Sequence, residues 1–568
     1  MYINRVKILN YRNFRQLEAE LHQLTIIIGE NDSGKSNFFT ALSLPLSGNQ
    51  IDFNYKRLNI SDINTDSILE FYASIISNED KNVQLSKIPK VSVTLDFTDP
   101  RNSYETAIIS QWIISNGNED SYRIRYDFKP KNDEEFLQTV TELLENKQTE
   151  DLEWFTLPIE LYEYQIVSVN NEKVINFNEL KHISINNINA DRDDFSESHS
   201  TRSNGILTKL LINKLNNENK NKINNAYLEF FSSIKETKTF EKVIGNNTDF
   251  SNFHDFIEKL ECTPNLPNLK NILSNITLRY GNEFLYQKGL GKRNLIYIII
   301  LFAYYNTCDK GFNLCCIEEP ESHLSVNNLK LIKDFLCKSN KKENHNTLLQ
   351  TIISTHTPSV INKLEITNVL AFSGDKAINL YNTPSKLVDY LRKKPNFDIL
   401  KLLFANKVIL VEGTTEEMLI NTFLIKRNEN LNNIEVIAIG QKGYRNFLDI
   451  WLQLNKDNRE KKIGIIRDFD NQQKAKEQHH KYDDLHENII VRTTEEYTLE
   501  NDLVSAGDNL SLLSNFFGLE QKAEIIVNHL INGKAEQMLK ICDAILKEND
   551  PLAITLPGHI EEVIKELS

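Results

Sequence analysis

LTIIIGENDSGKS, residues 24–36, is an apolar strand pattern that runs into a glycine-bounded polar turn and then into a helix-forming segment. Gly29-Glu30-Asn31-Asp32-Ser33-Gly34-Lys35-Ser36 fits G-x-x-x-x-G-K-[ST], and a strand before it and a helix after it are the setting a phosphate loop needs. Glycines let successive backbone N–H groups face phosphate oxygens, and the helix N-terminus adds positive potential. On this reading Gly29, Asn31, Ser33 and Gly34 cradle the phosphates of ATP, Lys35 reaches the terminal phosphates and Ser36 ligates Mg2+. The fold class that follows is α/β, with ligands gathered at the C-terminal ends of strands.

The 568 residues exceed what one hydrophobic core supports, roughly 250–300 residues, so two or three domains are expected. With 40% hydrophobic and 25% charged residues the chain is an ordinary globular one, and disorder is not the default. A net charge of -14 argues against a non-specific coat on nucleic acid or acidic membrane, and leaves room for a local basic channel. Cys262, Cys308, Cys315, Cys316, Cys337 and Cys542 form no C-x-x-C pair and no metal-finger spacing. The start, MYINRVKILNYRNF, has neither signal-peptide nor transit character, so a reducing, cytoplasmic setting is expected. The apolar run LIYIIILFAYY, 295–305, is short of the ~20 residues of a membrane span and reads as a buried helix.

Outward from the phosphate loop, Ile3–Leu9 and VSVTLDF (91–97) read as strands of the same α/β domain. Residues from about 200 to 280 turn Asn- and Lys-rich with helical spacing at Ile223, Tyr227, Phe230 and Phe231, which reads as a helical insertion. Strands return at NLCCIEE (313–319), TIIST (351–355) and TNVLAF (367–372). Residues 373–397 have weak periodicity and read as a link between domains. Its Arg392-Lys393-Lys394 cluster is either a contact for DNA phosphates or a solvated stretch. A second α/β pattern begins with KVILVEG (407–413) and continues through IEVIAIG (434–440), KIGIIRDFD (462–470) and IIVRTT (489–494).

The strand ends carry acids. Glu318 and Glu319 close one apolar strand, and such a pair can divide the work of holding hydrated Mg2+ and polarising an attacking water. His356, after TIIST, is placed to sense a γ-phosphate. In the second pattern Glu412 ends a strand, Gly413 permits a sharp turn and Glu416 follows in the first helical turn. Asp468 and Asp470 end the next strand at a two-residue spacing that sends both side chains to one side. An all-oxygen set of this kind suits Mg2+ or Mn2+.

Taken in order, NRVKILNYRNF, the phosphate loop, CCIEEPESHL and ISTHTPSVI resemble the ABC-type ATPase head of chromosome-maintenance proteins, in the version carried by OLD-family (overcoming lysogenization defect) nucleases. INADRDD (188–194), with Arg192, is similar to another stretch of that family. Gln287–Asn294 matches its signature glycines at Gly289 and Gly291, with Lys288 where a Ser is common. The later acids resemble a Toprim domain, extended by Glu500 in Thr498-Leu499-Glu500 and by Lys534 in Gly533-Lys534.

The resemblance implies residues 1–390 as an ABC-type ATPase head with the helical insertion at about 200–280, and 391–568 as a Toprim α/β nuclease domain with C-terminal helices. It implies Glu412, Glu416, Asp468, Asp470 and Glu500 on two Mg2+ or Mn2+ ions, Lys534 on the transition-state charge, and ATP bound by the head. Homo-oligomers through the heads, DNA as substrate, a defence role like that of Gabija-type and retron-associated members, and a separately encoded helicase or reverse transcriptase as partner are implied with it. The competing classes are a topoisomerase, which needs a nucleophilic Tyr on a DNA-binding domain for which no region is left, and a non-cleaving DNA sensor or clamp.

Overall fold

The structure, a computed structural model, describes residues 1–46, 55–116, 119–145, 157–188, 205–239, 268–305, 311–322, 349–427, 434–469 and 482–567, with short interruptions in the last three stretches and a few isolated residues between stretches. The chain forms two compact units. One comprises Met1–Tyr11, Leu21–Leu24 and Phe38–Ser354, the other Arg12–Glu20, Thr25–Asn37 and Thr355–Ser568. No helix among the described residues is long and apolar enough to cross a membrane.

In the first unit an antiparallel sheet runs Ile3–Tyr11, Val91–Phe97, Glu119–Pro130, Tyr162–Ser168, Lys173–Val174. The alternation in VSVTLDF drives Val91, Val93 and Leu95 into the core. A parallel trio, Ile183–Ile188 and Leu349–Ser354 flanking Phe312–Glu318, is buried along its central strand from Phe312 to Ile317, with Asn313 the one polar residue in that run. The expected helical insertion is present in its described part as Ile206–Lys214, Asn217–Glu236 and Leu269–Leu273. The apolar run at 295–305 lies in the helix Leu290–Tyr305, but that helix is buried on one side only. Ile298, Leu301, Phe302 and Tyr305 face inward while Ile299 is 49% exposed.

The second unit holds two sheets. Leu24–Gly29 pairs in parallel with Val369–Ser373, which turns back antiparallel onto Lys376–Asn379. Residues 373–397 are therefore not a plain link. They supply that hairpin strand and the short helix Ser385–Lys393, which buries Leu387 and Leu391. Arg392 lies in the last turn of this helix, 3.8 Å from Asp389.

The other sheet is fully parallel, in the order Ile434–Ala438, Lys407–Val411, Lys462–Arg467, Ile489–Thr493. Ile409, Val411, Ile466 and Ile490 join one core with the helices Thr414–Lys426, Ala523–Ile545 and Gly558–Leu567. Gly464 lets the last helix lie close, because a Cβ there would sit 2.4 Å from Val563 Cγ1. The alternate residues Val408, Leu410, Ile463 and Ile465 are equally buried and point to the opposite face. All four strands run the same way, so their C-terminal ends share one edge. Glu412 and Asp468 sit on that edge.

Candidate active site

The phosphate loop follows the fully buried strand Leu24–Gly29. Asp32 and Gly34 take positive φ, +63° and +90°. Gly34 is required twice over, since a Cβ would also fall 2.4 Å from Asn13 Nδ2 and 2.6 Å from Phe14 Cζ. The Lys35 ammonium donates to the carbonyls of Gly29 (3.1 Å) and Glu30 (2.7 Å), so the loop is held closed by its own lysine. Asn37, one residue after Ser36, accepts from Arg12 Nη1 at 2.8 Å and donates to Asn13 Oδ1 at 2.7 Å. The turn Arg12–Asn13 is thus part of the loop's support, a role the sequence reading did not assign. His356, exposed, follows Thr355 in the same unit.

Glu318, Glu319, Gly289 and Gly291 belong to the other unit. Glu318 ends its strand, and Glu319 adopts φ +39°, a strained conformation that a glutamate takes only when its surroundings fix it. They do fix it: its N–H donates to Ser354 O at 3.0 Å and its carboxylate accepts from Ser322 Oγ at 3.0 Å. Gly289 directly precedes the helix Leu290–Tyr305 and Gly291 is its second residue; Lys288 pairs with Glu283.

The acids of the parallel sheet come together. Glu412 follows its strand directly, and Glu416, 7% exposed, sits in the first turn of the next helix, accepting from Thr415 Oγ1 at 2.9 Å. Any side chain at Gly413 would place its Cβ 2.9 Å from Glu416 Oε2, so glycine makes room for the carboxylate. Asp468 Oδ1 accepts from the N–H of Leu499, the first residue of the helix Leu499–Ser505, and buried Glu500 accepts from Thr498 Oγ1 at 2.8 Å. Burial, then the charges of Glu416, Glu412 and Glu500, push the Asp468 carboxyl up to about 7, against the pull of the Leu499 N–H. Four of the five expected acids therefore act on one another. Asp470 and Arg192 lie outside the described residues.

Lys534 departs from expectation. The sequence places it just before a helix, whereas helix continues on both sides of a break at Lys534 itself, φ +28°. Its side chain is exposed, and among the described residues it makes no hydrogen bond or ion pair with the four acids. Sequence reasoning also missed Asp502. It accepts from the N–H groups of Glu495 and Glu496, both at 2.8 Å, and faces His559 Nδ1 at 2.9 Å. Burial alone would raise Asp502, but His559 and the two amides bring it below its ordinary value. Asp502 thereby folds the loop that delivers Glu500; its only trace in the sequence is one more acid two residues on.

The residues fit a hard divalent cation. The donors are all carboxylate oxygens, and Asp468 is raised by burial and, beyond that, by the negative charge of Glu416, Glu412 and Glu500. Among the described residues no three acids are grouped closely enough to hold an ion between them. A measurable consequence concerns the metal-free protein. A carboxyl whose folded value of about 7 exceeds its ordinary 3.8 favours folding fully only below about pH 4, and that contribution is lost as pH rises to about 7. Asp468→Asn is expected to unfold at a higher temperature than wild type at pH 8 without metal, with the gap closing toward pH 4. Equal midpoints at pH 8 would contradict the crowding of charge.

Residues 1–361 match the AAA ATPase domain family, and residues 403–470 match the TOPRIM domain of overcoming lysogenization defect protein-like sequences. Endonuclease GajA of Bacillus cereus (strain HuB5-5) is 24% identical over an alignment of 563 residues, covering 81% of this chain and 78% of that protein. The SMC head domain from Thermotoga maritima is 12% identical, covering 66% of this chain and 97% of its own, with a TM-score of 0.28. The C-terminal region of the Burkholderia pseudomallei OLD protein is 20% identical, covering 29% and 97%, with a TM-score of 0.20. With the ATPase match taking in 361 of 568 residues and the Toprim match the segment that presents Glu412, Glu416 and Asp468, the chain belongs to the AAA ATPase domain family and carries, after that domain, a TOPRIM domain of the overcoming lysogenization defect protein-like kind.

Proposed function

We propose that the chain is an ATP-binding, divalent-cation-dependent DNA endonuclease whose ATPase head regulates its Toprim site. The observation that carries this is the convergence of Glu412, Glu416, Asp468 and Glu500 on one strand-end edge, with Asp468 pushed up to about 7 by burial first and then by the charges of the other three. Glu412, Glu416, Asp468, Asp470 and Glu500 would hold Mg2+ or Mn2+. When bound, such ions supply an activated water and neutralise charge on the phosphate undergoing attack. The protein's own part is to orient the carboxylates: Thr415 and Thr498 fix Glu416 and Glu500, and Leu499 N–H fixes Asp468. Lys534, with its long exposed side chain, is assigned to the substrate phosphate.

Incubation of the pure protein with supercoiled plasmid and Mg2+ or Mn2+ tests the reading. Linear fragments are expected. Relaxed closed circles would make it a topoisomerase, and unchanged DNA a sensor or clamp. Similarity to Endonuclease GajA favours the first outcome. We also assign the head to about 1–390, Gly289 and Gly291 to a partner subunit's nucleotide in a homo-oligomer, and the whole to a cytoplasmic anti-phage role. A helicase or reverse transcriptase is a partner compatible with it.

Regulation has a physical route. Lys461, 7% exposed, donates to Glu30 Oε1 of the phosphate loop at 3.0 Å and to Phe404 O at 2.8 Å. Glu30 is also the residue whose carbonyl takes Lys35, and Lys461 immediately precedes the strand that ends at Asp468. When Lys35 turns toward a phosphate, Glu30 loses that bond and its hold on Lys461 changes. Lys461→Gln keeps a donor for Phe404 O and removes the charge that faces Glu30. It is expected to leave metal-only cleavage intact and flatten its response to ATP by about fivefold, the worth of one partly exposed ion pair on the order of 1 kcal/mol. An unchanged response to ATP in cleavage assays would remove this contact from the route.

A further inference from the structure

The strands Lys407–Val411 and Lys462–Arg467 pair in parallel with Leu410 opposite Ile465, and extending that register two residues, past the end of the first strand, brings Glu412 level with Arg467. Two-residue alternation sends both side chains to the same face. Arg467 is 3% exposed and Glu412 14%, with Arg467 Nε 4.0 Å from Glu412 Oε1. The same Nε donates to the backbone carbonyl of Asp468 at 3.1 Å, and the guanidinium lies near the hydroxyl of Tyr444, itself 1% exposed. A guanidinium this deeply buried is costly unless it is paired and hydrogen-bonded. Here its partners include one proposed cation ligand and the backbone of another. It is too buried to meet a DNA phosphate itself.

We propose that Arg467 is a positioning residue of the nuclease site, holding the Glu412 carboxylate and the Asp468 backbone in the arrangement that receives the cation. The inference rests on the Toprim edge being a cation site. A fixed outer partner raises affinity by removing the need to order its ligand at the moment of binding. The rival role has the opposite sign. If Arg467 only placed positive charge beside the acids, it would compete with the cation, and its removal would tighten binding.

Mn2+ binding to the full-length protein, by calorimetry and by electron paramagnetic resonance of free Mn2+, separates the two. Arg467→Gln is expected to weaken Mn2+ binding about tenfold or more, in the range typical of outer partners. Arg467→Lys should recover part of that loss, since it restores the charge without the planar fork. Tyr444→Phe, which removes one polar neighbour of the guanidinium, should weaken binding to a lesser degree and carries the test if Arg467→Gln does not fold. Excess Mn2+ should bring Arg467→Gln cleavage back toward wild type. Unchanged or tighter Mn2+ binding in a folded Arg467→Gln, or in Tyr444→Phe where that variant stands in, overturns the inference alone. Failure of the wild-type protein to bind Mn2+ overturns the nuclease reading, and this with it.

Discussion

Asp468→Ala, Glu412→Ala and Glu416→Ala are each expected to lower DNA cleavage by roughly a hundredfold or more, the loss usual when one electrostatic stabiliser of a transition state is removed. ATP hydrolysis should persist in all three. The ground is the coupling of these acids at one edge of the parallel sheet, where each raises the Asp468 carboxyl. Removing one lowers the negative charge that attracts a cation and takes away an oxygen that would hold it. Asp468→Asn makes the sharper variant. The amide oxygen can still accept from Leu499 N–H, so the start of the helix keeps its bond while the charge is gone. Loss of cleavage in Asp468→Asn, together with a rise in metal-free stability, would assign the residue to function rather than to folding. Purified acidic variants that cut plasmid at the wild-type rate and bind Mn2+ equally well would sink the site.

How much of this was legible in the sequence depended on distance along the chain. The phosphate loop and the Glu412–Glu416 turn are local, and strand, glycine and acid follow within a few residues, so both were readable. Asp468 was readable because it ends an apolar run, and Glu500 only through the family resemblance. Arg467 was not: its meaning depends on the register of two strands about fifty residues apart, and an arginine at the end of an apolar strand looks like the onset of solvent. Lys461 and Glu30 are 431 positions apart, and no periodicity connects them. The setting of Lys534 was hidden for a different reason. Gly533 reads as a helix boundary, but helical hydrogen bonding resumes at once on both sides of the kink, and nothing in the local sequence says where the broken turn points.

Lys35→Ala is expected to reduce ATP hydrolysis to background and weaken nucleotide binding, while cleavage of DNA in metal alone continues. The ammonium of Lys35 is the positive charge that the loop itself supplies. It spans the Gly29 and Glu30 carbonyls at 3.1 and 2.7 Å, and these bonds can be exchanged for phosphate oxygens without moving the helix that follows. Alanine removes that charge but spares Gly34, whose positive φ and tight contact with Asn13 and Phe14 shape the turn. The fold should therefore survive, as circular dichroism and an unchanged unfolding midpoint would show. Glu319→Gln should behave differently. It keeps the shape and the bond from Ser322 Oγ but is a poor base, so a fluorescent ATP analogue should still bind while phosphate release slows. Persistence of cleavage in Lys35→Ala follows from the chemistry, because hydrolysis of a phosphodiester is downhill and draws nothing from ATP. On the proposed reading the head would act through the Glu30–Lys461 contact on when the acids are in place, and not on the energetics of the cut. Wild-type ATP turnover in Lys35→Ala would remove the loop from the ATPase, and complete loss of metal-only cleavage in the folded variant would mean that the head is needed for more than regulation.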